Sequence, residues 1–387
     1  MNNNSTLTLN QRLYSIDILR GFVIVLMLLD HVRETFFLHV QVSDPMDIAT
    51  TSGFLAISRM LAHICAPSFI FLTGLSAYLY MQKNKSKKDT AWFLFTRGLF
   101  LIFLELTFVN FAWTFQFPME KLYLQVIWAI GISMVCLSVL IYLPKRVLFI
   151  LALFIIFGHN LLDNIHFTKD EFLYIPWSVL HDKNWIEFGE TFKARTTYPV
   201  LPWIGVIALG FVAGNWFDKN VSFRTRKSYL FKAGISLLIA FFVIRFINTY
   251  GDKEKYITYN SSVDKILSFF NVTKYPPSLL FLLLTLGIST FLLIYFEKFQ
   301  NSKAIVWLKD FGAAPMFFYI LHLYILKFLY LIAVANFGLN QGSYFGFDNM
   351  LQIWLVTIIL AFILYFPTKW YANLKQRRKD LTWLKYL

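Results

Sequence analysis

SIDILRGFVIVLMLLDHVRETFFLHV, residues 15–40, is apolar enough to cross a membrane, yet it carries Asp17, Arg20, Asp30, His31, Arg33 and Glu34. A pure anchor needs none of these. At 100° per residue, Arg20 and His31 fall within about 20° of one face and roughly 16 Å apart along the axis. Asp17, Asp30 and Glu34 project onto the same half, and Arg33 flanks it. Phe22, Val23, Val25, Leu26 and Leu29 fill the other half, which faces lipid or core. Ionisable groups at membrane depth cost several kcal/mol each and usually face a cavity or a partner. The stripe therefore reads as one wall of a functional site, against the alternative that its charges only pair with one another and with neighbouring helices.

Outside this stretch the chain is of the same kind. Its 387 residues are 57% apolar, include 43 Phe and 11 Trp, and only 15% are charged. That is the composition of a polytopic membrane protein, and long unbroken apolar runs select the helical way of satisfying backbone groups in lipid. A net charge of +14 is first a matter of anionic lipid and positive-inside loops; no nucleic-acid module is visible. Cys65 and Cys136 sit in apolar runs and give no disulfide framework. The leading MNNNSTLTLNQ is polar, without a charged n-region or cleavage site, so the first helix is expected to act as an uncleaved signal.

About ten spans are expected: residues 15–40, 53–81, 91–113, 122–143 and 147–162, one opening at TTYPVLPWIGVIALGFVAG, one ending near Arg245, one beginning at KYPPSLLFLLLTLG, one holding Pro315, Tyr319, His322 and Lys327, and residues 351–371. The ninth region is long enough to hide a break. Lys and Arg gather in KNKSKKD at 83–89, at 144–146, 219–232 and 298–303, and in the closing KQRRKDLTWLKYL. Every even-numbered connection is thus basic, which places both termini in the cytoplasm. Residues 165–198 mix aromatics with balanced charge, as suits an interfacial loop or short surface helices. Gly210 and Gly214 form a GxxxG pair for close helix packing. No internal repeat stands out, which weakens an inverted-repeat transporter. The expectation is one all-α transmembrane domain over 1–387, with a polar tail at 1–14 and a basic tail at 372–387.

Depth at about 1.5 Å per residue puts His31, Glu105, His63 and, somewhat lower, His322 in one layer towards the outside. Arg20 and Arg97 lie near the inner leaflet. A cationic inner zone and a His/carboxylate outer zone suit an anionic cytoplasmic donor and an acceptor from outside. Acyl-coenzyme A has phosphates that Arg20 and Arg97 can bind. A histidine can then deprotonate the acceptor or itself carry the acyl group, with Asp30 or Glu34 orienting it. Each residue has a plainer role open to it: His63 as a neutral core histidine, Arg97 as a snorkelling side chain, His322 and Lys327 as partners of Glu105. The sequence has no HExxH, CxxC, P-loop or GxSxG. His159 and Asp163, one turn apart, are too few ligands for a metal.

Several stretches, in order, resemble a known family: SIDILRGFVIVLMLLDHVRETFF, HICAPSFIFLTGLSAYL, YPVLPWIGVIALGF, KYPPSLLFLLLTLG, PMFFYILHLYILKF and WYANLKQRRKDLTWLKYL. They look like bacterial membrane proteins grouped with the heparan-alpha-glucosaminide N-acetyltransferase catalytic domain. The R-x10-H spacing of Arg20 and His31 is also similar to the acyltransferase-3 group of transmembrane O-acyltransferases. The resemblance implies transfer of an acyl group, usually acetyl, from cytoplasmic acetyl-CoA to a saccharide or glycolipid across a bacterial inner membrane, with Arg20 and His31 at the matching positions. The context of His39 does not match that of the histidine associated with catalysis in lysosomal members, so His31 comes first and His63 second. A proton-coupled transporter or flippase, with His31, Glu105 and His322 as relay, is the alternative; a non-catalytic membrane partner is a third.

Overall fold

The computed structural model describes residues 13–378, 380, 381 and 384. Most of the expected polar tail, 1–12, and residues 379, 382, 383 and 385–387 of the basic tail lie outside the described residues. The chain is an integral membrane protein of packed helices. Among the described residues, seven helices are long and apolar enough to cross a membrane, and two shorter apolar ones, Val126–Leu140 and Leu201–Phe217, lie between them. The first helix, α1 (Ser15–Phe36), has the length but also five charges within it.

After α1 come α2 (Gly53–His63) and α3 (Cys65–Asn84), which follow one another along a single span. The joint falls where Pro67 would meet the carbonyl of His63, four residues back, and cannot supply the N–H that a continuous helix needs there. Next, α4 (Lys87–Leu104) runs through a π-helical turn, Glu105–Val109, into α5 (Asn110–Thr114). The bundle continues with α6 (Val126–Leu140), α7 (Lys145–Gly158), the short α8 (Tyr174–Leu180) and α9 (Leu201–Ala213). It closes with α10 (Phe223–Ile247), α11 (Ser262–Phe270), α12 (Leu279–Phe299), α13 (Leu308–Ala313), α14 (Pro315–Phe337) and α15 (Met350–Arg377).

The connections alternate between two ends. The Lys/Arg-rich ones lie at what we call the basic end. The other holds a small sheet, in which β1 (Lys121–Leu124) pairs parallel with β3 (Phe192–Thr196), and β2 (Trp185–Phe188) pairs antiparallel with β3. This is the sheet end. The sheet and α13 depart from the expected loops: strands of four and five residues and a helix of six are too short to leave a hydrophobic period.

Charge decides which helix is central. α1 packs against α2, α3, α12, α13, α14 and α15, and Ile18, Leu19, Val23, Ile24 and Leu28 are fully buried. Its apolar half faces core, not lipid. α7, α10 and α15 instead turn large side chains outward, including Phe154, Phe246 and Phe362. Two close approaches set the packing. A Cβ at Gly210 would stand 2.1 Å from the Phe71 carbonyl oxygen, so the GxxxG face of α9 is where α3 crosses. Likewise a Cβ at Gly21 would stand 1.9 Å from Leu308 O, and one at Gly312 would stand 1.8 Å from Asp17 O. That pair seats α13 directly on the first turns of α1.

Candidate active site

The centre of the site is a pair of histidines from helices that are far apart in the chain. His31 Nδ1 lies 2.6 Å from His322 Nε2, with the rings stacked at 4.9 Å between centroids. His322 is fully buried, and its Nδ1 lies 2.8 Å from the Phe318 carbonyl oxygen one turn back on α14. A carbonyl can only accept, so His322 Nδ1 carries the proton and Nε2 the lone pair. That lone pair in turn requires a proton on His31 Nδ1, leaving His31 Nε2 as a free lone pair. Nε2 makes no hydrogen bond among the described residues and is not one of the buried unpaired polar atoms. A neighbouring imidazole thus fixes the tautomer that leaves Nε2 able to take a proton or attack a carbonyl.

Two aromatic residues enclose this ring. Trp113 meets His31 edge-on at 5.2 Å between centroids, and Tyr319 at 5.9 Å. They also line different chambers. Tyr319 lines a chamber of about 360 Å³ that reaches the basic end, where Arg20, Arg97 and Lys375 border it. Between these cations and Tyr319 its walls are largely apolar, with Met27, Leu101, Ile130 and Met134. Arg20 donates to Asp17 Oδ1 at 3.3 Å, to the Leu72 carbonyl at 3.2 Å and to Ser76 Oγ, which hold its guanidinium on the chamber wall. Arg97 lies 5.8 Å from the Phe93 ring centroid.

Trp113 lines chambers on the other side, at the sheet end. One of about 560 Å³ is bordered by Arg33, Arg59, Lys183 and Arg195, with Glu34 and Asp44 as its carboxylates. A smaller one of about 290 Å³ lies between α1, α5 and α14 and includes Lys327. Burial lowers the Lys183 ammonium below the usual lysine range and raises the Asp44 carboxyl.

Asp30 does not hydrogen-bond to His31. Its carboxylate takes Arg33 Nη2 at 2.9 Å, Lys274 Nζ at 3.5 Å and Arg59 Nη1 at 3.6 Å, one anion against three cations. Lys274 is brought there by its own segment: Asp44 accepts the backbone N–H of Lys274 at 3.2 Å and of Tyr275 at 2.7 Å, and Asp252 ties down Thr273 and Ser278. Glu34 pairs with Arg33 at 3.1 Å. Asp30 therefore stands beside the histidine pair as the anchor of a cationic floor.

Glu105 is also turned elsewhere. It opens the π-turn, is fully buried, and accepts the backbone N–H of Trp128 at 3.1 Å, so it caps the first turn of α6 from the neighbouring helix. Its Oε1 has no partner among the described residues. Asn110 bonds Glu105 O at 2.6 Å and both backbone groups of Tyr123, so the turn carries β1 on its far end. His63 is buried at the α2–α3 joint, edge-on to Phe281 at 5.4 Å, and hydrogen-bonds to neither member of the pair. Lys327 reaches the Trp113 carbonyl at 3.4 Å, not Glu105. Of the seven residues expected from the sequence, the structure brings His31 and His322 together, puts Arg20 and Arg97 on one chamber, and sets Asp30, His63 and Glu105 to one side of the pair. Tyr319, Lys274, Lys183, Arg195 and Lys375 were not legible as site residues. Lys274, a lone lysine opening an apolar run, was the one with a signal. Among the described residues no group of three or more His, Cys, Asp or Glu is placed to hold a metal ion. His159 turns its ring nitrogens to the carbonyls of Ile156 and Pro277, each at 2.9 Å.

Fold and site together define a polytopic membrane protein with a histidine pair inside the bundle and chambers towards both ends. The family model described as heparan-alpha-glucosaminide N-acetyltransferase, catalytic, matches residues 12–242. The chain belongs to this family of membrane acetyltransferases. His31, Arg20 and Arg97 lie inside the matched segment, while Tyr319 and His322 lie beyond it. No curated protein matches the chain.

Proposed function

We propose that the protein transfers an acetyl group from acetyl-CoA, bound in the chamber at the basic end, to a saccharide or glycolipid bound at the sheet end, with His31 as general base. The observation that carries this reading is that the His31 ring touches both Tyr319, which lines the one chamber, and Trp113, which lines the others. In this reading the basic end faces the cytoplasm, as the Lys/Arg-rich connections favour, and a bacterial inner membrane is its setting.

The donor's phosphates lie at Arg20, Arg97 and Lys375, where charge-assisted hydrogen bonds are strongest. Its pantetheine arm runs along the apolar wall. Arg20 and His31 are roughly 16 Å apart along α1, the reach of that arm when extended, so the thioester arrives at Nε2. The acceptor hydroxyl or amine enters from the sheet end and gives its proton to Nε2 while its heteroatom attacks the thioester carbonyl. The tetrahedral adduct then expels the CoA thiolate, which takes the proton from the imidazolium. The acetyl group has moved outward, and every proton is accounted for. Four cations against two carboxylates around the larger outer chamber favour an acceptor with an acidic group, and Trp113 and Tyr275 offer faces for a sugar ring.

The test is acetyl-CoA binding and turnover by detergent-purified protein given envelope saccharide extracts. Release of free CoA that requires both substrates, lost in His31→Ala with donor binding kept, is the expected result. Failure of folded wild-type protein to bind acetyl-CoA, or saccharide uptake into proteoliposomes driven by a pH gradient without donor, overturns it.

A further inference from the structure

Beside His31 are two buried hydrogen-bond donors that the protein itself leaves unused. Tyr319 is 3% exposed, and its hydroxyl has no hydrogen-bond partner among the described residues. Trp113 Nε1 is likewise buried and unpaired, and it approaches the Tyr319 hydroxyl without closing a hydrogen bond of normal geometry. Buried polar groups are nearly always paired, so two unpaired donors side by side at one point need an explanation. Both rings touch the ring of His31 edge-on. They come from different elements, α5 and α14, so no single helix accounts for their convergence. Tyr319 also stands one turn before His322, so the residue that sets the His31 tautomer and the unused hydroxyl share one face of α14.

We propose that Tyr319 and Trp113 are the oxyanion donors of the transfer. This rests on the acetyltransferase reading. When the acceptor attacks the thioester carbon, the C=O electron pair moves onto oxygen, and that oxygen lies within reach of the groups around Nε2. The Tyr319 O–H and the Trp113 N–H meet the charge as it forms. Collapse returns the pair to the carbonyl and breaks the C–S bond. Donors fixed beforehand in a water-poor site cost no reorganisation at that moment. The open wall at Tyr319 faces the donor chamber, which is the side from which the carbonyl arrives. Tyr319 is thus a catalytic residue, and Trp113 is the second donor and a wall of the acceptor chamber.

Tyr319→Phe and Trp113→Phe remove the donors and keep the rings. With acetyl-CoA labelled at the carbonyl carbon, the measurements are transfer rate, donor affinity and the infrared carbonyl stretch of the bound thioester. Tyr319→Phe is expected to lower kcat by about 10²–10³, leave acetyl-CoA affinity unchanged, and return the carbonyl stretch towards its value in solution. Trp113→Phe is expected to do the same to a smaller degree. Transfer by Tyr319→Phe at the wild-type rate overturns the proposal, as does a slowed enzyme whose carbonyl stretch equals that of wild type. In both cases wild-type turnover stands, so the acetyltransferase reading survives. Absence of donor binding to wild type removes both.

Discussion

The two sides of His31 are built from different material. Towards the basic end, three cations border a chamber whose remaining wall is mostly aliphatic and thioether. Towards the sheet end, charge and aromatic rings alternate around a wider space, with Arg59 buried and its Nε unpaired among the described residues. A ligand for the first needs a charged head and a slender arm that tolerates apolar surroundings. A ligand for the second needs hydroxyls, a flat face and an acidic group. One protein with both, and the His31 ring touching a wall of each, is suited to moving a group from one ligand to the other.

Substitutions at five positions sharpen or break that division. His31→Ala should have the largest effect, a loss of about 10²–10⁴ in kcat with acetyl-CoA affinity unchanged, read by steady-state turnover and calorimetry. Arg20→Ala should act on the donor alone. Loss of charge-assisted contacts of about 1.5–3 kcal/mol raises the KM for acetyl-CoA roughly tenfold to a hundredfold and leaves the acceptor KM in place; an equal rise in both would erase the distinction between chambers. His322→Ala frees the tautomer of His31 and should cost kcat about fivefold to tenfold, the size of one net hydrogen bond. His322→Gln, whose amide oxygen can accept from Nδ1, should recover part of that loss. Arg195→Ala should be the mildest, raising the acceptor KM about twofold to fivefold as expected for a partly exposed charge, more at low salt than at high. The same chamber carries a pH signature. Burial lowers the Lys183 ammonium, so it loses its proton below the pH at which an ordinary lysine does. Affinity for an acidic acceptor should accordingly fall as pH rises into the alkaline range, and Lys183→Arg should flatten that fall.

The seven spanning helices among the described residues were legible because lipid demands them: each is a long apolar run bounded by Lys and Arg, and no other backbone solution fits. The importance of α1 was legible for the converse reason, since Asp30 and His31 are costly where they stand. What those residues touch was not. His322 lies 291 positions from His31, and both sit in helices whose apolar pattern gives no rotation precise enough to pair them. Asp30 looked like the partner of the adjacent histidine; it pairs instead with Arg33 on its own helix and with Arg59 and Lys274, which come from a second helix and from a loop held by Asp44 and Asp252. Glu105 shared a depth with His31 but turns to the neighbouring helix, where it caps α6. Depth follows from counting residues, and azimuth follows from packing.

The hydrogen-bond chain through the histidine pair ends at the Phe318 carbonyl, a group that can take no proton onward. A proton that reaches His31 Nε2 therefore has to leave from Nε2. In the transfer reading, a neutral acetyl group goes one way and a hydrogen atom, first on the acceptor and then on the CoA thiol, goes the other, with no net charge crossing the bilayer. Turnover in sealed vesicles should then run at the same rate whether the membrane is polarised or short-circuited by an ionophore, so the cell would meet the energetic cost wholly from the thioester and draw nothing from its electrochemical gradient.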